Sequence, residues 1–335
     1  MSPKAISLIA ISIIVLGSVA GFVYVQSSVP LKKSESYPIS MKDDLGRNIT
    51  IKVRPNRIIS LVPSASEIIY AAGAGHLLVG VDQFSAFPDD LVARVKSGNL
   101  TVVGSGFTPD LDRIISLAPD IIFVNGPSQF ESKGVQRLSD LGYTIVSLNA
   151  QNISGVLQNI DLVGGITGNS ESAAKAVSGF RERVTKIENA VKNAPKVRVY
   201  VENWHDPLFS VGAGSLQDEL VVHAGGINIF SDMQKKSGEV SPEAVVAKNP
   251  QVIILFDRGV TVEQVKSRPG WNIIDAVKNN RVYYISDEQN TGAYGAPGPR
   301  IVDGLEKMAM LIHSDLSKNL ENENANGLLM LLLEN

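Results

Sequence analysis

Two stretches of the chain follow one pattern 131 residues apart, TPDLDRIISLAPDIIF at 108–123 and VSPEAVVAKNPQVIIL at 240–255. Under that shift Asp112 falls on Glu243, Ile114 and Ile115 on Val245 and Val246, and Pro119 on Pro250. Each copy reads as a short amphipathic helix followed by an apolar run. A second pair, EIIYAAGAG at 67–75 and ELVVHAGGI at 219–227, reads as a helix ending on glycine, the residue that tolerates a left-handed C-cap. A chain that spells two units twice in the same order is most simply built as two similar lobes, and 335 residues suffice for two domains of ordinary size.

The remaining pattern sets the class of those lobes. Continuous apolar runs at 58–62, 77–81, 121–124 and 144–148 do not alternate, as expected of strands buried on both faces of a parallel sheet. Amphipathic segments near 66–72, 110–117 and 131–141 separate them, giving βαβα order. Runs at 197–203, 251–257 and 281–286 repeat the texture. Between the two sets, apolar residues recur at Ala173, Val177, Phe180, Val184, Ile187 and Val191. That spacing predicts one long helix over 170–195, with Ser170 as N-cap and Pro195 as a stop. Ahead of the first lobe, 39–53 alternates around Asp44-Leu45-Gly46 as a β-hairpin would. The expected architecture is α/β: two Rossmann-like lobes (56–168 and 196–317) joined by a rigid helix (169–195), with a linker and hairpin at 27–55 and a tail at 318–335.

Composition removes several functions. The chain has no cysteine, which excludes disulfides, thiolate metal sites, Fe–S clusters and a cysteine nucleophile. The four histidines are scattered without zinc-ligand spacing, and the net charge of −3 with no basic stripe gives no attraction to nucleic acid. No GxSxG elbow, P-loop or GxGxxG after a strand argues for an enzyme. Residues 5–25 form 21 consecutive uncharged residues after Lys4, long enough for a membrane-spanning anchor, while Ser18-Val19-Ala20 also suits signal-peptidase cleavage. Both readings place the lobes outside the cytoplasm, and an uncleaved anchor is the preferred one. Sequons at Asn48, Asn99 and Asn152 agree with export.

Taken in order, RIISLVPSASEIIYAAGAGHLLVGVDQFSAFP, VGSGFTPDLDRIISLAPDIIFVNG, SRPGWNIIDAVKNNRVYYISDE and GPRIVDGLEKMAMLIH resemble the substrate-binding proteins of ABC importers for cobalamin, ferric siderophores and haem. The resemblance covers about residues 40–316. It implies two lobes that hinge only slightly and a ligand held between them. It also implies a partner permease dimer with a cytoplasmic ATPase, and two acids, here Asp112 and Glu243, that dock onto the permease. Asp110 and Ser241 suit the N-cap positions that would place both acids in exposed first turns. An acid there also favours the helix dipole whatever its partner.

Ligands of open α/β sheets sit beyond the carboxyl ends of the strands. That rule nominates Phe84, Phe87, Phe107 and Asn125 in the first lobe, and Asn203, Trp204, His205, Tyr294 and Arg300 in the second. Aromatic rings beside amides suit a flat, mostly apolar ligand, so cobalamin or another corrinoid leads, with an iron chelate or haem as the alternative. Against cobalamin, the tryptophan its binders place beside the position of Gly106 is absent, and position 84 is phenylalanine where they can have tyrosine. No cofactor or resident metal is expected. Ser64-x-x-Glu67 reads as a capping box, and Trp271 as packing.

Overall fold

The computed structural model describes residues 36–256, 259–284 and 296–314. The N-terminal apolar segment, Tyr294 and the C-terminal tail lie outside the described residues. No helix among the described residues is long and apolar enough to cross a membrane.

The chain enters as the expected hairpin, β1 (Ile39–Lys42) paired antiparallel with β2 (Asn48–Ile51). Its turn is fixed by the buried Asp43 carboxylate, which accepts from the backbone N–H of Leu45, Arg47 and Ser147. The first sheet then follows as β3 (Ile58–Ser60), β4 (Leu78–Val81), β5 (Thr101–Val102), β6 (Ile121–Val124) and β7 (Ile145–Ser147). Its order is β5-β4-β3-β6-β7 with every pairing parallel. Helices α1 (Pro63–Ala71), α2 (Asp89–Lys96), α3 (Leu111–Ser116), α4 (Gly126–Phe130) and α5 (Lys133–Asp140) connect the strands. The wholly buried runs of β3 and β6 explain their lack of alternation, because both faces are covered by helices.

Two helices carry the chain to the second lobe. The first, α6 (Ile153–Thr167), is apolar on most sides and ends on Gly168 in the left-handed conformation (φ 68°). The second, α7 (Ser170–Val191), is the long helix the spacing predicts. Ser170 is its first helical residue rather than its cap, and the helix stops at Val191, short of Pro195. Ala173 and Val177 are fully buried, and Phe180, Val184 and Ile187 pack half-buried against the same core.

In the second lobe β8 (Val197–His205) is central, flanked by β12 (Val252–Leu255) and then β13 (Val282–Tyr284), all parallel. The other side of β8 is shared. A short parallel strand, β10 (Gly226–Asn228), covers its first half, and the antiparallel β9 (Leu208–Val211) covers its second and pairs onward with β11 (Ser237–Glu239). The helices are α8 (Leu216–His223), α9 (Pro242–Lys248), α10 (Val262–Lys266), α11 (Asp275–Lys278) and α12 (Ile301–Ile312). Trp271 opens a short 3-10 turn and is fully buried, as expected of a packing residue.

The textual repeat is a structural one. Asp110 and Ser241 each cap their helix by accepting the backbone N–H three residues on. Ile114 and Val245 are the buried residues of the two helices, and Ala118 and Asn249 both turn with positive φ (44° and 40°). Arg57, just before β3, and Arg198, the second residue of β8, donate from Nε to the helix-end carbonyls of Leu117 and Asn249 at 2.7 and 3.1 Å. Their backbone N–H groups donate to the side chains of Asp120 and Gln251, again equivalent positions. Gly73 and Gly225 close α1 and α8 with φ near 80°.

The lobes do not have separate cores. One face of each sheet, with α1, α6, α7, α8 and α12, contributes to a single apolar cluster running from Ile58 and Ile68 through Ile160 and Val177 to Val199, Leu220 and Leu305. The outer face of each sheet closes a smaller cluster of its own.

Candidate functional site

Parallel strands all point their carboxyl ends one way, so the segments that follow them gather at one end of each sheet. Among the described residues five aromatic side chains are more than a third exposed, and all five lie there. Phe84 (64%) and Phe87 (41%) follow β4, Phe107 (61%) follows β5, Trp204 (51%) is at the end of β8, and Tyr284 (40%) ends β13. Exposed rings of this size are costly in water unless something covers them. Three of the first-lobe nominations and Trp204 are thus brought to the strand ends. Tyr284, which sequence reasoning did not single out, joins them; its place at the end of an apolar run was the available signal.

The loop bearing Phe84 and Phe87 is anchored from beneath. Asp82, 1% exposed, accepts from the Phe84 backbone N–H at 2.7 Å and from the Ser85 hydroxyl. Ser85 bonds Ser66 at 2.9 Å, and Ser66 donates to Ser60 at 2.9 Å, carrying the network to the end of β3. Burial pushes the Asp82 carboxyl above its usual range, against the hydrogen bonds that favour its charge.

Arg300 is paired within the protein. Its guanidinium forks onto Glu67, Nη2 to Oε1 at 2.6 Å and Nε to Oε2 at 3.1 Å. The same guanidinium lies 4.6 Å from the centre of the Phe87 ring. This also corrects the capping box. The N-cap of α1 is Val62, with no side-chain cap, and Glu67 is committed to Arg300 because burial at 5% exposure demands a charged partner. Burial raises the Glu67 pKa despite the opposing pull of Arg300.

Asn125 caps no N–H. Its Oδ1 is buried without a protein partner, while its backbone N–H donates to Gln129 Oε1 at 2.9 Å. In the second lobe Asn203, Trp204 and His205 lie on β8 itself, which ends in a hairpin into β9. Trp204 donates from Nε1 to the Asp206 carbonyl at 2.9 Å, fixing its ring, which tilts at 40° to His205. Residues 257–258 and 285–295 lie outside the described residues. Among the described residues no cluster of histidine and carboxylate side chains is arranged to hold a metal.

A cavity of about 300 Å³ sits beside the strand ends where the lobes meet. It is lined by Gln151 and Asn152 from the first lobe and Ser215, Asp218, Glu219 and Lys236 from the second. Lys236 donates to Gln151 at 3.0 Å across it. No motif announced this cavity, because its lining is assembled from three separate segments of the chain.

Asp112 and Glu243 are exposed in the first turns of α3 and α9. Those helices follow β5 and β11, so their placement on equivalent helices is as expected.

Residues 58–289 match the protein family described as periplasmic binding protein. The chain is 31% identical over 295 residues to an ABC transporter substrate-binding lipoprotein of Bacillus subtilis, covering 86% of this chain and 89% of that one. It is 28% identical over 253 residues to the vitamin B12-binding protein of Vibrio cholerae, covering 75% and 87%. Among solved structures it resembles a possible iron-binding protein of Staphylococcus epidermidis, with TM-score 0.69 and 29% identity over 78% of this chain and 100% of that one. The shared two-lobe build, the repeated helix–strand unit and these likenesses agree: the chain belongs to the periplasmic binding protein family.

Proposed function

We propose that this protein is the extracytoplasmic substrate-binding component of an ABC importer and that it captures cobalamin or another corrinoid. The observation that carries the ligand reading is the set of exposed rings at the strand ends, Phe84, Phe87, Phe107, Trp204 and Tyr284. They offer stacking and apolar contact to a flat, weakly charged molecule. Arg300, the cation nominated in this region, has its guanidinium forked onto Glu67. A cobalamin-binding protein of Halobacterium salinarum, 27% identical over 83% of this chain and 75% of its own, supports the same class. The likeness to a possible iron-binding protein favours an iron chelate as the second reading.

Calorimetric titration with cyanocobalamin, haem and ferric hydroxamates separates the two. Cyanocobalamin is expected to bind with a dissociation constant of about 1 μM or tighter. Heat from a ferric chelate alone would replace the corrinoid reading with the second. Asp112 and Glu243 serve as the contacts to the permease, and the N-terminal apolar segment holds the protein at the membrane. Charge reversal at both acids is expected to abolish uptake while leaving ligand affinity unchanged. Intact mass of the membrane-extracted protein tests whether residues 1–26 are retained.

A further inference from the structure

The repeated segments EIIYAAGAG and ELVVHAGGI open on equivalent glutamates, Glu67 and Glu219. Each reaches across to the opposite half of the sequence. Glu67, on α1, holds Arg300 at the start of α12, 233 residues away. Glu219, on α8, accepts the backbone N–H of Ile153 at 2.8 Å, at the start of α6. A matched residue used twice for a cross-lobe bond is a feature of the two-lobe assembly rather than of either lobe.

The Glu67 tie has an additional consequence. α12 packs along α7 and α8, so its far end belongs to the second lobe, while its first turn is clamped to α1 of the first. The approach is close: a side-chain carbon at Gly298 would meet Glu67 Oε2 at 3.1 Å. A guanidinium held by two bonds to one carboxylate is fixed in place, and its Cζ lies over the Phe87 ring, 4.6 Å from the ring centre. The loop 82–88 is therefore held twice, at its base by Asp82 and near its end by Arg300.

We propose that Glu67 is a positioning residue of the ligand cleft. Acting through Arg300, it fixes the ring of Phe87 and the separation of the two lobes before a ligand arrives. Glu219 performs the matching service for α6. The proposal rests on the strand-end cleft being the ligand site, and its first readout needs no ligand.

The absence of native cysteine allows clean labelling at two exposed positions, Asn99→Cys in the first lobe and Gln234→Cys in the second. Spin-label distance distributions are compared for the labelled chain and for the same chain carrying Glu67→Gln, Glu219→Gln, or the swap Glu67→Arg with Arg300→Glu. The unsubstituted chain is expected to give one narrow distribution, Glu67→Gln a clearly broader one, Glu219→Gln a lesser broadening, and the swap a return toward the narrow form. Glu67→Gln is expected to weaken cyanocobalamin binding roughly tenfold, by faster dissociation, as preorganisation is lost. A distribution for Glu67→Gln as narrow as the original overturns the proposal, even where its melting temperature falls, because that is the outcome of a merely structural pair. Should Glu67→Gln fail to fold, Arg300→Lys keeps the charge and removes the fork; an unchanged distribution there overturns it equally. Absence of cobalamin binding in the unsubstituted chain sinks the corrinoid reading and leaves the distance test standing.

Discussion

The two lobes share a strand–helix–strand grammar and differ in how they finish it. In the first, β3 is three residues long and hands over to a helix at once, and the exposed rings sit on the loops after β4 and β5. In the second, the equivalent β8 runs for nine residues into an antiparallel hairpin, which carries Trp204 outward on paired backbone. The register fixes the equivalence: Ile58 pairs with Ile121 as Val199 pairs with Val252, which sets Leu61 opposite Glu202. Leu61 is buried in apolar packing, 1% exposed, whereas Glu202, 0% exposed, forks onto Arg268 at 2.7 and 2.8 Å. The same strand position is thus buried in both lobes, filled by an apolar side chain in one and by a buried ion pair in the other.

The largest effect that would break this comparison is expected at Glu202. Glu202→Ala should cost about 3–5 kcal/mol in denaturant unfolding, because Arg268 is left charged and enclosed. Leu61→Ala should cost about 2–5 kcal/mol through a cavity instead. Replacing both partners, Glu202→Leu with Arg268→Met, should recover most of the loss; failure to do so would mean the pair specifies the hairpin rather than filling it. Smaller losses, about 1 kcal/mol each, are expected for Arg57→Ala and Arg198→Ala, since each removes a helix-end bond from a half-exposed side chain. Equal losses would sharpen the repeat into an energetic one.

A pH experiment separates the lobes further. His223, on α8, lies between Glu188 of α7 (2.5 Å) and Glu219 of its own helix (3.5 Å), where the first lobe's equivalent is Ala71. The hydrogen bond to Glu219 leads in raising its pKa above 6.5, with Glu188 adding to it and burial opposing. The folded state thus holds the proton more tightly, so this contribution is full below pH 6.5 and is lost as pH rises through the folded value. The stability gap between the unsubstituted chain and His223→Gln should be widest near about pH 6 and narrow by about pH 9. Ala71→Ser, as the first-lobe control, should show no such trend. The smallest effect is expected at Asp112→Lys with Glu243→Lys: exposed first-turn acids should change stability by under about 1 kcal/mol while uptake is lost.

Local signals were legible wherever the physics was local. The N-caps Asp110 and Ser241, the glycine C-caps, the buried strands and the face of α7 all follow from residues within one or two turns of each other. α6 was passed over because its apolar residues surround the helix and its three glycines blur the period. The antiparallel strands β9 and β11 were missed because Ser210, Gly212, Ser237 and Gly238 give no alternation to read. The strand-end rule led to Phe84, Phe87, Phe107 and Trp204, four of the exposed rings at the strand ends. The pairing of Arg300 was not legible because its partner lies 233 residues upstream, beyond any periodicity. The comparison of lobes meets the same limit: Leu61 and Glu202 are equivalent only once the strands are paired.

The apolar cluster that runs unbroken from β3 through α6 and α7 to β8 and α12 has a thermodynamic meaning. Unfolding either lobe would strip the other of its wall, so the two should melt together in one transition with matching calorimetric and van't Hoff enthalpies. Ligand grasped at the mouth would then protect the entire chain, and affinity can be read from a single shift in melting temperature.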